Sequence, residues 1–289
     1  MKKPIFLLLS LCSVNSFALN MAYVEVNNHS LSNAGCFINK QTQKPYFDMV
    51  SIFAANIDAK DKKNQDPNQP TLAFNSQVTA TLNSGQVQQL QKQGIKVLIS
   101  LLGNHDKAGW SCMTDAAAIK NFAGQIVVMT NKYGFDGVDI DDEYSACTPN
   151  NSSLIRIAQA LRANPEFKGK LLTKPLYEDV DYFSARYNGH QLSEYLDFGF
   201  EMTYTESNLE ARIKPYLANG MSINQLMVGG NVGESQPSAT SLGAFTVEHK
   251  LAGAMIYDIN KNSYNYINQL SLAQSLGKNE LAVIPGCLK

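Results

Sequence analysis

The sequence predicts an α/β fold of the (β/α)8 barrel (TIM barrel) class, with irregular or shortened helices, on three observations. Eight short β-rich apolar runs alternate with helix-like segments. No Pro/Gly/Ser-rich linker or composition break divides residues 20–289. Eight such units over about 250 residues is the size and rhythm of a closed barrel of parallel strands with helices outside. A doubly wound open sheet is the rival, but no GxGxxG follows the first run.

The runs are MAYVEV (21–26), MVSIFAA (49–55), KVLISLL (96–102), GVDID (137–141), KLLTKPL (170–176), FGFEMTY (198–204), QLMVGG (225–230) and AGAMIY (252–257). Each is bounded by turn residues and is rich in β-branched or aromatic side chains. Between most of them lie amphipathic stretches: 87–94, 117–134, 152–164 and 209–220. Gly94, Gly134 and Gly220 stand where helix C-caps belong. Residues 57–74 carry no helical period, so a long loop or hairpin is expected after the second strand.

The chain has 289 residues, 44% of them hydrophobic, which is enough for one large core. A formal net charge of −1 offers no basic surface for nucleic acid. The opening MKKPIFLLLSLCSVNSFALN has a two-lysine start, a short apolar core and a small-residue cut site, so residues 1–18 are expected to be a bacterial signal peptide. The mature domain is then 19–289, secreted or periplasmic. No apolar run is long enough to span a membrane. Export leaves Cys36, Cys112, Cys147 and Cys287, which allow three disulfide pairings. Cys112 and Cys147 both follow strand ends, so that pair is preferred. No cysteine stands at metal-ligand spacing, and neither a metal nor a cofactor is expected.

The chemistry concentrates in YGFDGVDIDDEYS (133–145). Side chains alternate along a strand, so Asp139, Asp141 and Glu143 share one face, and Val138 and Ile140 share the other. Asp142 falls out of phase, and Gly137 leaves room below the acids. Three stacked carboxylates cannot all ionise where water is scarce. A proton shared between Asp139 and Asp141 and a raised pKa at Glu143 are the expected solution. A carboxylic acid kept protonated can protonate a leaving group. A solvated acidic turn is the bland alternative, and the alternating Val138 and Ile140 argue against it. A calcium loop fails because Tyr144 stands where glycine is needed and Asn150 where a glutamate is needed.

DGVDIDDE (136–143) resembles the DGxDxDxE signature of glycoside hydrolase family 18, which includes chitinases and endo-β-N-acetylglucosaminidases. Segments 22–28, 51–57, 91–105, 133–145 and 160–164 are similar to its endo-β-N-acetylglucosaminidase H branch and flavobacterial relatives. The resemblance implies a barrel and cleavage of the GlcNAc–GlcNAc core of N-linked glycans. It implies a retaining mechanism in which the substrate's acetamide is the nucleophile. Glu143 is then the acid and base, Asp141 holds the acetamide N–H, Asp139 supports Asp141, and Tyr204 binds the acetamide carbonyl. Gly103 and Asn104 belong to the third-strand motif of the pocket floor.

Other candidate substrate contacts are Tyr23, Glu25 and Asn27, which alternate on the first strand, and Tyr257 and Asp258, which close the eighth. Glu201 stands where the family usually has an amide and adds a carboxylate near the acetamide site. Residues 174–196 depart from the resemblance and put glycan preference in question. The expected partners are N-glycans of glycoproteins or chito-oligosaccharides, met by a monomer. A chitinase and a non-catalytic chito-oligosaccharide-binding barrel are the alternatives. The single tryptophan, Trp110, favours a branched glycan core over crystalline chitin, and thirteen tyrosines weaken that argument.

Overall fold

The computed structural model describes residues 18–289. The expected signal segment therefore lies outside the described residues except for its last position. Eight strands close a barrel: β1 (Leu19–Glu25), β2 (Met49–Ala59), β3 (Lys96–Gly103), β4 (Gly137–Asp141), β5 (Leu171–Leu176), β6 (Phe198–Glu201), β7 (Leu226–Asn231) and β8 (Gly253–Tyr257). Every neighbouring pair is parallel, and β1 joins both β2 and β8 to complete the ring. All eight expected strands are present, with ends shifted by a few residues. The largest shifts are in the second, which runs four residues further to Ala59, and in the sixth, where Met202 to Tyr204 leave the sheet.

Helices follow the strands: α1 (Ser76–Asn83) and α2 (Gln86–Lys92) after β2, α3 (Ala116–Tyr133) after β3 and α4 (Asn151–Ala163) after β4. The five-residue α5 (Val180–Ser184) follows β5, then α6 (Leu209–Ala218), α7 (Ala239–Glu248) and α8 (Tyr264–Gln274) complete the ring. Asp115 caps α3 by accepting from the Ala118 amide, and Gly134 ends it at φ 71°. Residues 57–74 form the expected hairpin, with Pro70–Ala73 antiparallel to the end of β2.

The apolar residues divide by strand phase into two layers. Val138 and Ile140, with Val97, Ile99 and Leu172, join the layer between barrel and helices. Met21, Met49, Leu98, Phe200, Met227 and Met255 fill the lower interior. Flexible methionine suits a tapering space that rigid branched side chains fit poorly. In β2 the pairing with β3 slips between Ile52 and Ala55. Met49 packs in the interior with Phe53 against it, whereas Ala55 and Ile57 belong to the outer layer.

Both disulfides form, Cys112–Cys147 as preferred and Cys36–Cys287. Cys36–Cys287 spans 251 residues and sits beside a two-stranded sheet of Phe37–Asn39 and Leu281–Val283. Chain entropy assigns about 5 kcal/mol to that closure and about 4 kcal/mol to the 35-residue span of Cys112–Cys147. The Cys36→Ala/Cys287→Ala variant is expected to lose more melting temperature than Cys112→Ala/Cys147→Ala. Only the latter, which ties the loops after β3 and β4, is expected to lose activity at 25 °C. Thermal melts and rate assays on both variants check this.

Candidate active site

The acids of β4 lie at the C-terminal end of the barrel, where the strand phase sends them inward. Gly137 must be glycine, because a Cβ there would stand 2.3 Å from the Leu171 carbonyl oxygen on β5. Above it Asp139 is fully buried. One of its oxygens accepts from Tyr23 (2.8 Å) and Ser100 (2.8 Å), and the other from Thr173 (2.6 Å). Ser51 stands 2.8 Å from Ser100. The Ser100 proton is committed to Asp139, so Ser51 donates to Ser100. Burial pushes the Asp139 carboxyl up, while Thr173, Ser100 and Tyr23 pull the other way.

Asp141 is the opposite case. Its Oδ1 is buried and has no hydrogen-bond partner. Burial first, then the charges of Glu143 and Asp139, drive its pKa well above the ordinary value. Asp139 accepts from three hydroxyls, whereas Asp141 Oδ1 accepts from none. Asp139 is already supplied with donors, and a proton taken up by this pair belongs on Asp141.

Glu143 follows the strand end and is half-buried. Burial raises its pKa, Lys174 lowers it, and Asp179 and Asp142 add to the rise. Its segment is fixed by Gly103, whose amide donates to the Glu143 carbonyl at 3.0 Å. A Cβ on Gly103 would lie 2.5 Å from that carbonyl oxygen and 2.4 Å from the Ser145 hydroxyl. Asp142 points away from the pocket and accepts from the Ser111 amide and hydroxyl, both at 3.1 Å.

A cavity of about 390 Å³ opens over Asp141 and Glu143. That volume is in the range of small-molecule sites. Tyr23, Phe53, Tyr204 and Tyr257 line its inner part. Tyr23 meets Phe53 and Phe200 edge-on, and Phe53 meets Tyr257 at 88°. The Tyr204 hydroxyl reaches only the Met255 sulfur, at 3.7 Å. Burial, then Asp141, holds the Tyr204 hydroxyl neutral. It is therefore a donor without a strong acceptor. Tyr144, Tyr177 and Glu206 stand around the mouth. Trp110 is buried and donates to the Leu101 carbonyl, so the cleft's aromatics are tyrosine and phenylalanine.

Several expected contacts are placed elsewhere. Glu201 is fully buried and binds Arg212 of α6 through Nε at 2.7 Å. Phe200 occupies the interior phase, so its neighbour Glu201 faces the helices. Gly103 shapes the Glu143 backbone and does not line the cavity. Asn104 is exposed and donates to Asp58 at 2.7 Å, outside the pocket. Asp258 accepts from the Glu25 amide at 2.8 Å and pairs with His29 at 2.6 Å, which braces the loop after β1. Asn27 is exposed and bonds Asn75. Glu25, in the interior phase above Tyr23, is half-buried, and after burial its charge is the next cause that pushes the Tyr257 hydroxyl up. Phe53, Tyr144 and Tyr177 were not anticipated. Nor were Ser51, Ser100 and Thr173, although the alternation used on β4 identifies these three when applied to β2, β3 and β5.

The Glycosyl hydrolases family 18 model matches residues 18–231. The chain belongs to this family. An endo-β-N-acetylglucosaminidase of Flavobacterium sp. (strain SK1022) is 41% identical over 162 residues, which are 53% of this chain and 49% of that protein. Endo-β-N-acetylglucosaminidase F1 of Elizabethkingia meningoseptica is 35% identical over 189 residues, 61% of this chain and 53% of its own length. The chain thus matches about half the length of these curated relatives. Among solved structures, Bacteroides thetaiotamicron EndoBT-3987 with Man5GlcNAc product superposes with TM-score 0.74 at 21% identity, covering 93% of this chain and 63% of that one. An Ostrinia furnacalis group II chitinase catalytic domain gives 0.64 at 15% identity, covering 93% and 99%. These structural likenesses show the barrel fold.

Two outcomes follow from this geometry. Asp141's raised pKa in the folded state means its ionisation opposes folding. The stability is complete below the unfolded-state pKa and is lost as pH rises through the folded value. Asp141→Asn is therefore expected to match the unchanged protein in melting temperature in acid and exceed it increasingly toward neutral pH. The gain is about 2–4 °C per kcal/mol recovered. Thermal melts from about pH 3 to about pH 8 read it. Gly103→Ala pushes on the Glu143 backbone and is expected to cut kcat by about a hundredfold, with a smaller effect on melting temperature. Steady-state kinetics beside a melt decide this.

Proposed function

We propose that the chain is an endo-β-N-acetylglucosaminidase that cleaves the β-1,4 bond of the GlcNAc–GlcNAc core of N-linked glycans. One observation carries the chemistry: Asp141, whose buried Oδ1 has no partner, lines one cavity with Glu143 and with Tyr204, whose hydroxyl lacks a strong acceptor. An acceptor and a donor left open in this way fit the N–H and C=O of a substrate acetamide. The names of the two curated relatives support the substrate. So does EndoBT-3987, solved with Man5GlcNAc product and with Man9GlcNAc2Asn substrate.

In this reading the acetamide oxygen attacks the anomeric carbon while Glu143 gives its proton to the leaving oxygen. Asp141 accepts from the acetamide N–H and stabilises the positive charge of the oxazolinium. The carboxylate of Glu143 then takes a proton from the incoming water, and configuration is retained. No enzyme nucleophile is needed. The reading includes a monomer. Export to an oxidising compartment is part of the proposal, and two disulfides support it.

Incubation with ribonuclease B and with chitohexaose, followed by mass spectrometry, tests the substrate. Release of the glycan from ribonuclease B with one GlcNAc left behind is expected. Cleavage of chitohexaose alone would make the protein a chitinase. Glu143→Gln is expected to lower turnover by at least about a hundredfold with glycan affinity kept. Because Glu143 acts protonated and its pKa is raised above 4.5, the alkaline fall of kcat/KM should lie above that value.

A further inference from the structure

The loop after β5 is gripped from behind at three consecutive residues. Arg212 of α6 lies over the ring of Tyr177, 5.0 Å from its centroid. The same guanidinium stands 3.5 Å from the Glu178 carboxylate. Asp179 is held at 2.5 Å by the buried Lys174 ammonium, and it accepts from the Tyr216 hydroxyl at 2.7 Å. Arg212 is itself fixed by fully buried Glu201, through Nε at 2.7 Å and NH2 at 2.6 Å. None of these six groups lines the pocket. Tyr177 does, and it is 52% exposed.

We propose that Tyr177 is a specificity-determining residue whose ring stacks on a pyranose of the substrate, with Arg212 and Glu201 as its positioning residues. This deepens the function proposed above and rests on it. A sugar ring offers a face of C–H bonds, and an aromatic face is the complementary surface. An exposed ring on a loop normally loses rotamer freedom when it binds. Here the guanidinium already covers the ring of a residue that lines the cavity. The cation also needs a fixed plane, which the Glu201 contact provides and a lysine does not.

The test is affinity, measured by calorimetry on Glu143→Gln protein with an N-linked glycopeptide and with chitohexaose. Adding Tyr177→Ala is expected to weaken binding by about five- to tenfold, and adding Tyr177→Phe to leave it unchanged. Equal affinity in the alanine variant overturns the stacking. Arg212→Met is expected to weaken binding similarly, with no further loss when combined with Tyr177→Ala. Losses that multiply overturn the positioning role. Should Arg212→Met fail to fold, Arg212→Lys serves, and undiminished affinity there overturns the same point. Binding of chitohexaose alone contradicts the N-glycan substrate while the Tyr177 comparison is still read on it. Binding of neither overturns both.

Discussion

A single buried carboxylate, Asp139, sets the conditions for the rest of the site. An isolated charge in a barrel interior is costly unless donors surround it. Here three strands provide them: Tyr23 from β1, Ser100 from β3 and Thr173 from β5. These bonds tie the barrel together across its axis. They also fix the Tyr23 ring, and through its edge contacts they fix Phe53 and Phe200. The floor of the pocket thus depends on an acid that substrate need not touch. The hydroxyls of Tyr23, Ser100 and Thr173 all go to Asp139, and Asp141, one step closer to the opening, is left with its Oδ1 unsatisfied. Two neighbouring aspartates on one strand face thereby acquire different tasks, one structural and one waiting for a ligand.

The barrel was legible in the sequence because strand periodicity is a local property. Eight apolar runs became eight strands, and the alternation on β4 separated the inward acids from Asp142. Local reading failed where position depends on something distant. The β2–β3 register slips just past Phe53 and turns Ala55 and Ile57 outward, which no pattern within β2 announces; Phe53 itself keeps the inward phase of Met49 and Ser51. Asn104 and Asp258 lie at strand ends, where alternation no longer governs direction and neighbouring loops decide. Tyr177 is placed by Arg212, 35 residues later. Glu201 is a different case, because the signal was present. In FGFEMTY the residues Phe198, Phe200, Met202 and Tyr204 share one phase, which sends Glu201 outward. The family comparison of that position obscured the alternation.

The outer phase also carries function of its own. Each inward group near the strand tops has an outward neighbour: Asp142 beside Asp141, Lys174 beside Thr173, and Glu201 beside Phe200. All three outward residues are charged, and each grips chain beyond its own strand. Asp142 holds Ser111 in the loop after β3, Lys174 holds Asp179 in the loop after β5, and Glu201 holds Arg212 on α6. Lys174 and Glu201 are buried, and charges this buried persist only with partners, so their contacts are strongly fixed in geometry. A hydrophobic residue in the same place would pack against a helix without directing a loop. The period of two therefore writes two messages on one strand, chemistry on the inside and loop placement on the outside. Lys174 joins them: its ammonium, outside the barrel wall, still lowers the pKa of Glu143 inside it.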